Sequence, residues 1–183
     1  MAFIGISNWA LDPAKMNRGI LLSRGVPTKE DLIKSAEGIC SSDKDALSLM
    51  KAVIEPLATG YYAVYKKQEQ EREFFGLRDF YSLVKMIYAG VQRTKRQPEL
   101  SDIVHAVQRN FGGYFGDFIP TNVFLSSVYP NVTTDHFVPP KALITEAIRQ
   151  KDETRYILLL TKNNAALNII QEQVHNSFLF ACS

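Results

Sequence analysis

Three scattered polar residues, Asn8, Arg18 and Arg78, have side chains suited to binding a phosphorylated ligand. Asn8 follows the apolar run 2–7, so its neutral amide would lie at the end of a predicted strand. There it could hydrogen-bond an attacking water or a terminal phosphate without adding negative charge. Arg18 ends a short predicted helix and Arg78 opens a longer one, and a guanidinium can contact two phosphate oxygens at once. These residue types indicate phosphate chemistry.

Each of the three residues also has a plainer interpretation. Asn8 is a common turn former, and Arg18 would compensate the dipole at the C-terminal end of its helix. Arg78 could form an ion pair with Asp79 or Glu73. The chemical interpretation therefore depends on the elements that position the side chains.

The other reactive side chains fit no known catalytic or metal-binding pattern. Neither the scattered histidines nor the two distant cysteines suggest a nucleophile with its base, or a metal site. These residues are His105, His136, His175, Cys40 and Cys182. No G-x-x-x-x-G-K-[ST] loop occurs in the sequence. We expect no metal ligands and no independent nucleotide hydrolysis by this chain.

Length and composition favour a globular protein with no overall preference for anionic partners. The chain has 183 residues, of which 46% are hydrophobic and 22% charged, and its net charge is +2. One domain with part of a second is expected. The basic residues Arg93, Lys95 and Arg96 lack an aromatic platform, so nucleic-acid binding is not expected. With no secretory signal and no apolar run of roughly 20 residues, we expect no membrane span and a cytoplasmic protein.

Three short apolar runs predict β-strands. They are Ala2 to Ser7, Ile20 to Leu22 and Arg155 to Leu160. Between the first two, Asp12 and Pro13 predict the N-cap and first residue of a short helix. Gly19 would close that helix in the left-handed conformation. Strands alternating with helices predict an α/β fold.

Capping residues and apolar spacing predict a block of helices across residues 28–111. Thr28, with Asp31 three residues later, is a variant of the capping box, and Pro56 is expected to interrupt the second helical stretch. The strongest pattern is an apolar stripe at helical spacing, formed by Leu77, Phe80, Tyr81, Val84, Ile87, Tyr88 and Val91. The charged run 66–73 is typical of a solvated helix end. Glycines and prolines across 112–140 indicate a partly packed linker.

The order of these features resembles the C-terminal half of an AAA+ module: a strand ending in Asn8, a short helix ending in Arg18, a short strand, a helical block and then Arg78. The resemblance implies that Asn8 is sensor 1, Arg18 the arginine finger and Arg78 sensor 2. The stretch from Leu11 to Arg18 looks like the L-x-P-A-x-x-N-R pattern before the finger in the dynein, midasin and MoxR branch.

More closely, residues 5–19 and 74–83 resemble giant E3 ubiquitin ligases that combine a dynein-like core of six AAA+ modules with a RING. The similarity covers about residues 2–174. It implies five segments: the end of a large AAA+ subdomain (1–27), a helical lid (28–111), a linker (112–140), the start of the next, degenerate module (141–174) and an unassigned tail (175–183).

The resemblance also implies what this chain would not do alone. Residues 161–168, where an active module has its glycine-rich loop, contain no glycine, and Lys162 comes too early to match the loop lysine. The next module should bind no nucleotide, which suggests the junction between the fourth and fifth modules. ATP and Mg²⁺ are expected only in the parent, whose phosphate loop would precede Met1. Expected partners are adjacent AAA+ modules and, through the RING, the ubiquitin machinery.

A different class of function stays open at this stage. The helical block could be a standalone interaction module that binds a partner through Leu77, Tyr81 and Tyr88, without nucleotide chemistry. Exposed apolar surface around the run 2–7 would favour a half-module, whereas a well-behaved monomer would favour the interaction module.

Overall fold

The computed structural model describes residues 4–6, 12–20, 22, 25, 27–68, 75–114, 116–132, 137–149 and 167–172. The helices are α1 (Pro13–Met16), α2 (Lys29–Cys40), α3 (Lys44–Gln68), α4 (Leu77–Thr94), α5 (Leu100–Phe111), α6 (Pro120–Val128) and α7 (Pro140–Arg149). A further helical segment lies at 167–172.

Two of the helix boundaries are set by capping residues close to the helix ends. The Thr28 side chain accepts from the Asp31 backbone N–H at 3.2 Å, and Asp31 accepts in return from the Thr28 N–H at 3.0 Å, so the predicted capping box opens α2. Helix α4 covers the predicted apolar stripe and ends at Lys95, whose φ of 54° is left-handed. The helical predictions for these segments are confirmed.

Pro56 does not interrupt the helix in which it lies, contrary to the sequence expectation. Helix α3 runs without a break from Lys44 to Gln68. A proline in this position removes one backbone hydrogen bond and ordinarily costs about 3 kcal/mol. Helix α3 packs against α2, α4 and α6, and we attribute its continuity to this tertiary packing.

One hydrophobic core joins α2 to α6. Its largest fully buried side chains come from five helices: Leu32, Met50, Leu57, Tyr61, Phe80, Leu83, Phe111 and Phe124. The Tyr61 ring lies 5.1 Å from Phe80 and 6.3 Å from Phe111, so aromatic packing links α3, α4 and α5. The core therefore centres on the middle of α3.

The segment expected to be a linker contributes a core helix. Helix α6 lies within 112–140 and packs against α3 and α5. Phe124 is fully buried and Leu125 is 3% exposed. Pro120 stands in the first turn of α6, where its missing N–H leaves no hydrogen bond unmade, so the proline starts a helix here.

The predicted α/β fold is wrong for the described part of the chain, which contains helices and no strand. The apolar side chains expected in the first two strands, Ile4, Ile6, Ile20 and Leu22, are 89% or more exposed. A strand needs neighbours to satisfy its backbone and cover its side chains, and no described segment pairs with these residues. The third predicted strand, Arg155 to Leu160, lies outside the described residues.

Candidate nucleotide-sensing site

Arg78 lies in the first turn of α4, and the backbone on both sides of it is held by a local cap. The Gly76 N–H donates to Asp79 Oδ2 at 2.8 Å, and the Asp79 N–H donates to the Gly76 carbonyl at 3.1 Å. The Asp79 carboxylate therefore serves as the cap of this helix. Asp79 forms no ion pair with Arg78, in contrast to the ion pair considered as an alternative role for Arg78.

The residue before this cap is held by a buried amide. Gln68 is the last residue of α3 and is 1% exposed. Its Nε2 donates to the Phe75 carbonyl at 2.6 Å, and its Oε1 accepts from the Phe75 N–H at 2.8 Å. One side chain thus satisfies both backbone groups of Phe75 and ties the end of α3 to the start of α4.

The Phe75 side chain is anchored as well. Its ring lies 5.2 Å from the Phe111 ring and 5.7 Å from the Tyr114 ring, and Phe75 is 3% exposed. The backbone of Phe75 is held by α3, and its ring packs on α5 and the residues that follow. The entry into α4 is therefore fixed relative to two other elements.

Arg78 itself points outward from this rigid turn. It is exposed and forms no ion pair or hydrogen bond with another described residue. Backbone N–H groups at a helix N-terminus favour an anion nearby, and a guanidinium adds a bidentate donor. The geometry fits contact with a phosphate group from outside the described residues.

Arg18 follows a helix of a single turn. Helix α1 begins after Asp12, whose side chain accepts from the Lys15 N–H at 3.0 Å and pairs with Lys15 Nζ at 2.7 Å. The Lys15 side chain, followed by backbone hydrogen bonds, lowers the pKa of the exposed Asp12 carboxyl. Asn17 is the C-cap and Gly19 is not left-handed, so the predicted glycine closure of α1 is wrong.

The described residues show no extensive packing of α1 against α4 that would bring Arg18 to Arg78. Arg18 is exposed, and α1 makes no extensive contact with the helices of the core. Asn8 lies outside the described residues. The roles of Asn8, Arg18 and Arg78 therefore stay predictions.

Side chains of α5 make polar contacts with Val138, just before α7, and with Glu146 in α7. Gln108 Nε2 donates to the Val138 carbonyl at 2.7 Å, and the Val138 N–H donates to Gln108 Oε1 at 2.8 Å. His105 Nε2 lies 2.8 Å from Glu146 Oε2, within ion-pair distance but without hydrogen-bond alignment. Gln108 repeats, at lower burial, the double contact that Gln68 makes with Phe75.

The sequence analysis did not predict the contacts that Gln68 and Gln108 make with the backbone. Gln68 lies in the charged run assigned to a solvated helix end, yet it is buried while its neighbours Lys66 and Lys67 are exposed. The available signal was its position, because Gln68 continues the buried stripe of Tyr61 and Tyr65 at helical spacing. No pattern near Gln108 indicated its contact with Val138, 30 residues away.

The surfaces proposed for other partners are partly occupied. Tyr88 is 7% exposed, and its hydroxyl lies 2.8 Å from the Ser42 hydroxyl. Of the basic residues at the end of α4, Lys95 contacts Asp43 at 3.4 Å and Arg96 contacts Asp102 at 2.8 Å. Tyr88 is therefore buried rather than presented to a partner, and two of the three basic residues already contact carboxylates.

The described residues hold neither a candidate metal centre nor a candidate membrane-spanning helix. They contain no group of three or more His, Cys, Asp or Glu side chains arranged to hold a metal ion. None of their helices combines the length and apolar character needed to cross a bilayer.

Comparison with known families identifies the class of protein that this chain resembles. The family model described as RNF213 AAA domain matches residues 1–31. This match covers the segment that carries Asn8 and Arg18, the residues compared above with AAA+ sensor and finger positions.

The particular relatives are E3 ubiquitin-protein ligases. The chain is 45% identical to "E3 ubiquitin-protein ligase RNF213" of Homo sapiens and to its namesake in Mus musculus, each over 94% of this chain. It is 41% identical to "E3 ubiquitin-protein ligase rnf213-beta" of Danio rerio over 95% of the chain. The chain spans only 3 to 4% of the length of these relatives. The predicted resemblance to a segment of RNF213, or mysterin, is confirmed.

Proposed function

We propose that this chain is the nucleotide-sensing part of one AAA+ module in a longer ubiquitin ligase of the RNF213 type. The observation that carries the proposal is the setting of Arg78, which is exposed, has no described carboxylate partner, and projects from a helix start held by Gly76, Asp79 and Phe75. The similarity to RNF213 over 94% of the chain supplies the context.

Each of the three candidate residues would have a different role in ATP binding and hydrolysis. Arg78 contacts phosphate from the helical side of the cleft, as sensor 2. Asn8 orients the attacking water, as sensor 1, and its neutral amide adds no charge to an anionic site. Arg18 reaches the nucleotide of an adjacent module, as an arginine finger. ATP supplies the hydrolysable phosphate and Mg²⁺ neutralises its charge, and both would be bound chiefly by other parts of the protein.

Residues 141–174 would begin the next module, which binds no nucleotide. In the parent, nucleotide occupancy at one module would bias the conformation of its neighbours and thereby of the ligase. The partners are then the adjacent AAA+ modules and, through a RING elsewhere in the parent, the ubiquitin machinery, in the cytoplasm. The interaction-module alternative is less well supported because Tyr88 is buried.

Steady-state ATP turnover tests this proposal. In the longer AAA+ protein, Asn8→Ala and Arg18→Ala should each lower turnover by roughly 100-fold or more. The purified 183-residue chain should show no turnover. Two results would contradict the proposal. One is ATP turnover by the 183-residue chain that disappears in its Asn8→Ala and Arg78→Ala variants. The other is unchanged turnover in the Asn8→Ala and Arg18→Ala variants of the longer protein.

A further inference from the structure

We infer that Gln68 is the positioning residue for Arg78, and this inference rests on the function proposed above. Gln68 and Arg78 do not touch in any described contact. Gln68 acts through the backbone of Phe75, three residues before Arg78, and thereby sets the direction in which α4 leaves α3. The amide determines where the guanidinium meets its phosphate.

The contact geometry suits this task because it restrains Phe75 at two points. Gln68 donates to the Phe75 carbonyl at 2.6 Å and accepts from the Phe75 N–H at 2.8 Å. With a single hydrogen bond, the backbone of Phe75 could still rotate about that bond. Two hydrogen bonds, one to the N–H and one to the carbonyl of Phe75, fix the orientation of its backbone. The cap at Gly76 and Asp79 begins at the next residue, so the constraint passes directly into the first turn of α4.

The chemistry of the side chain is specific to an amide. The contact needs a donor and an acceptor side by side at the end of a flexible side chain, which the carboxamide of glutamine supplies. Methionine has similar length and would lose both bonds to the Phe75 backbone. Glutamate keeps the acceptor and, when ionised, places a carboxylate oxygen against the Phe75 carbonyl.

Gln108 provides a matched control within the same chain. It forms the same pair of hydrogen bonds from α5 to the Val138 backbone, at 2.7 and 2.8 Å, and none of its described hydrogen bonds reaches the start of α4. A general loss of stability from removing such a contact should follow either substitution. A loss of phosphate contact should follow only Gln68→Met.

The first test measures local structure in the 183-residue chain by NMR. In Gln68→Met the Phe75 amide should exchange with solvent at least roughly tenfold faster, and the backbone amide signal of Arg78 should shift. Gln108→Met should leave both signals unchanged. If the methionine variant does not fold, Gln68→Glu, which retains the bond to the Phe75 N–H, takes its place. An unchanged Arg78 signal in a folded Gln68 variant overturns the inference.

The second test measures ATP and AMP affinity in the longer AAA+ protein. Gln68→Met should weaken ATP binding by roughly 3- to 10-fold with little effect on AMP, because each lost hydrogen bond has a modest net effect. Combining it with Arg78→Ala should add nothing to the loss caused by Arg78→Ala alone. A merely structural role would weaken both ligands, and Gln108→Met would then do the same.

The outcomes separate the inference from the function on which it rests. If Arg78→Ala leaves ATP affinity unchanged, the proposed function fails, and the positioning role fails with it. If Arg78→Ala weakens ATP binding while Gln68→Met does not, or while Gln108→Met weakens it equally, the positioning role is wrong and the proposed function stands.

Discussion

The ring of Phe124 lies against the backbone of Gly60, so closely that a methyl group on Gly60 would overlap the ring. This contact seats α6 on α3. It explains why a glycine occupies the buried middle of a long helix, where glycine ordinarily lowers stability.

Gly60→Ala should therefore destabilise the protein. Overpacking against Phe124 should cost about 2–3 kcal/mol because a methyl group would overlap the buried ring, and this exceeds the roughly 1 kcal/mol that alanine gains in a helix. Chemical denaturation measures the change in the free energy of unfolding. Gly38→Ala in α2 is the matched control, because open space surrounds Gly38, and it should stabilise by about 0.5–1 kcal/mol. A neutral or stabilising Gly60→Ala would contradict this packing of α6.

Asp43 should make stability depend on pH in the acid range. Its Oδ1 accepts from the backbone N–H of Ala46 at 3.0 Å, and this bond, followed by Lys95, lowers the pKa of the carboxyl below its ordinary value of 3.8. A lowered folded pKa gives stability that is present above the unfolded value and is lost as the pH falls through the folded value.

The comparison with Asp43→Asn isolates this effect. The stability advantage of the wild type over the variant should shrink as the pH falls from about 5 to about 2. Lys95→Gln should keep most of the pH dependence, because the Ala46 bond is the larger cause. Urea denaturation across this range supplies the measurement, and a constant difference between wild type and Asp43→Asn would refute the assignment.

Cys40 should resist thiol reagents in the folded protein. It is fully buried in the core beside α3, and burial raises the pKa of its thiol to about 11. Little thiolate is then present at about pH 8, where the reaction is usually followed. In a Cys182→Ser background, Ellman's reagent should react with Cys40 only after unfolding. Rapid reaction of the native variant would show that this part of the core is open.

The hydroxyl of Tyr88 should contribute a measurable hydrogen bond to Ser42, since the two oxygens lie 2.8 Å apart. Tyr88→Phe should lower the free energy of unfolding by about 0.5–1.5 kcal/mol. Tyr81→Phe on the same helix should cost less, because its hydroxyl has no described hydrogen bond. A combined Ser42→Ala and Tyr88→Phe variant should be less destabilised than the sum of the two single changes. Strict additivity would argue against the bond.

Local patterns predicted the helices well where the chemistry is local. The stripe in α4 and the capping box of Thr28 and Asp31 depend on residues three or four apart, which a sequence shows directly. The continuity of α3 through Pro56 depends on three neighbouring helices, and that information is not contained in any short window.

The candidate site shows the same division. The position of Arg78 at the start of α4 was predicted from the sequence. The burial of Gln68 was missed, because its neighbours are charged and its partner, Phe75, lies seven residues further along the chain. The strand predictions were wrong for a different reason. Apolar runs such as Ile20 to Leu22 predict burial, but a strand is buried only beside partner strands, and the described part of the chain contains none.

The most direct measurement of the central claim is the ATP affinity of the longer AAA+ protein with Arg78→Ala, compared with Arg93→Ala. Both residues are exposed cations on α4, at its first and last turns, so the two variants change the charge equally. Arg78→Ala should weaken ATP binding by roughly 10- to 100-fold, as expected for the loss of charge-assisted hydrogen bonds, and Arg93→Ala should leave it unchanged. Equal ATP affinity in the two variants would contradict the claim.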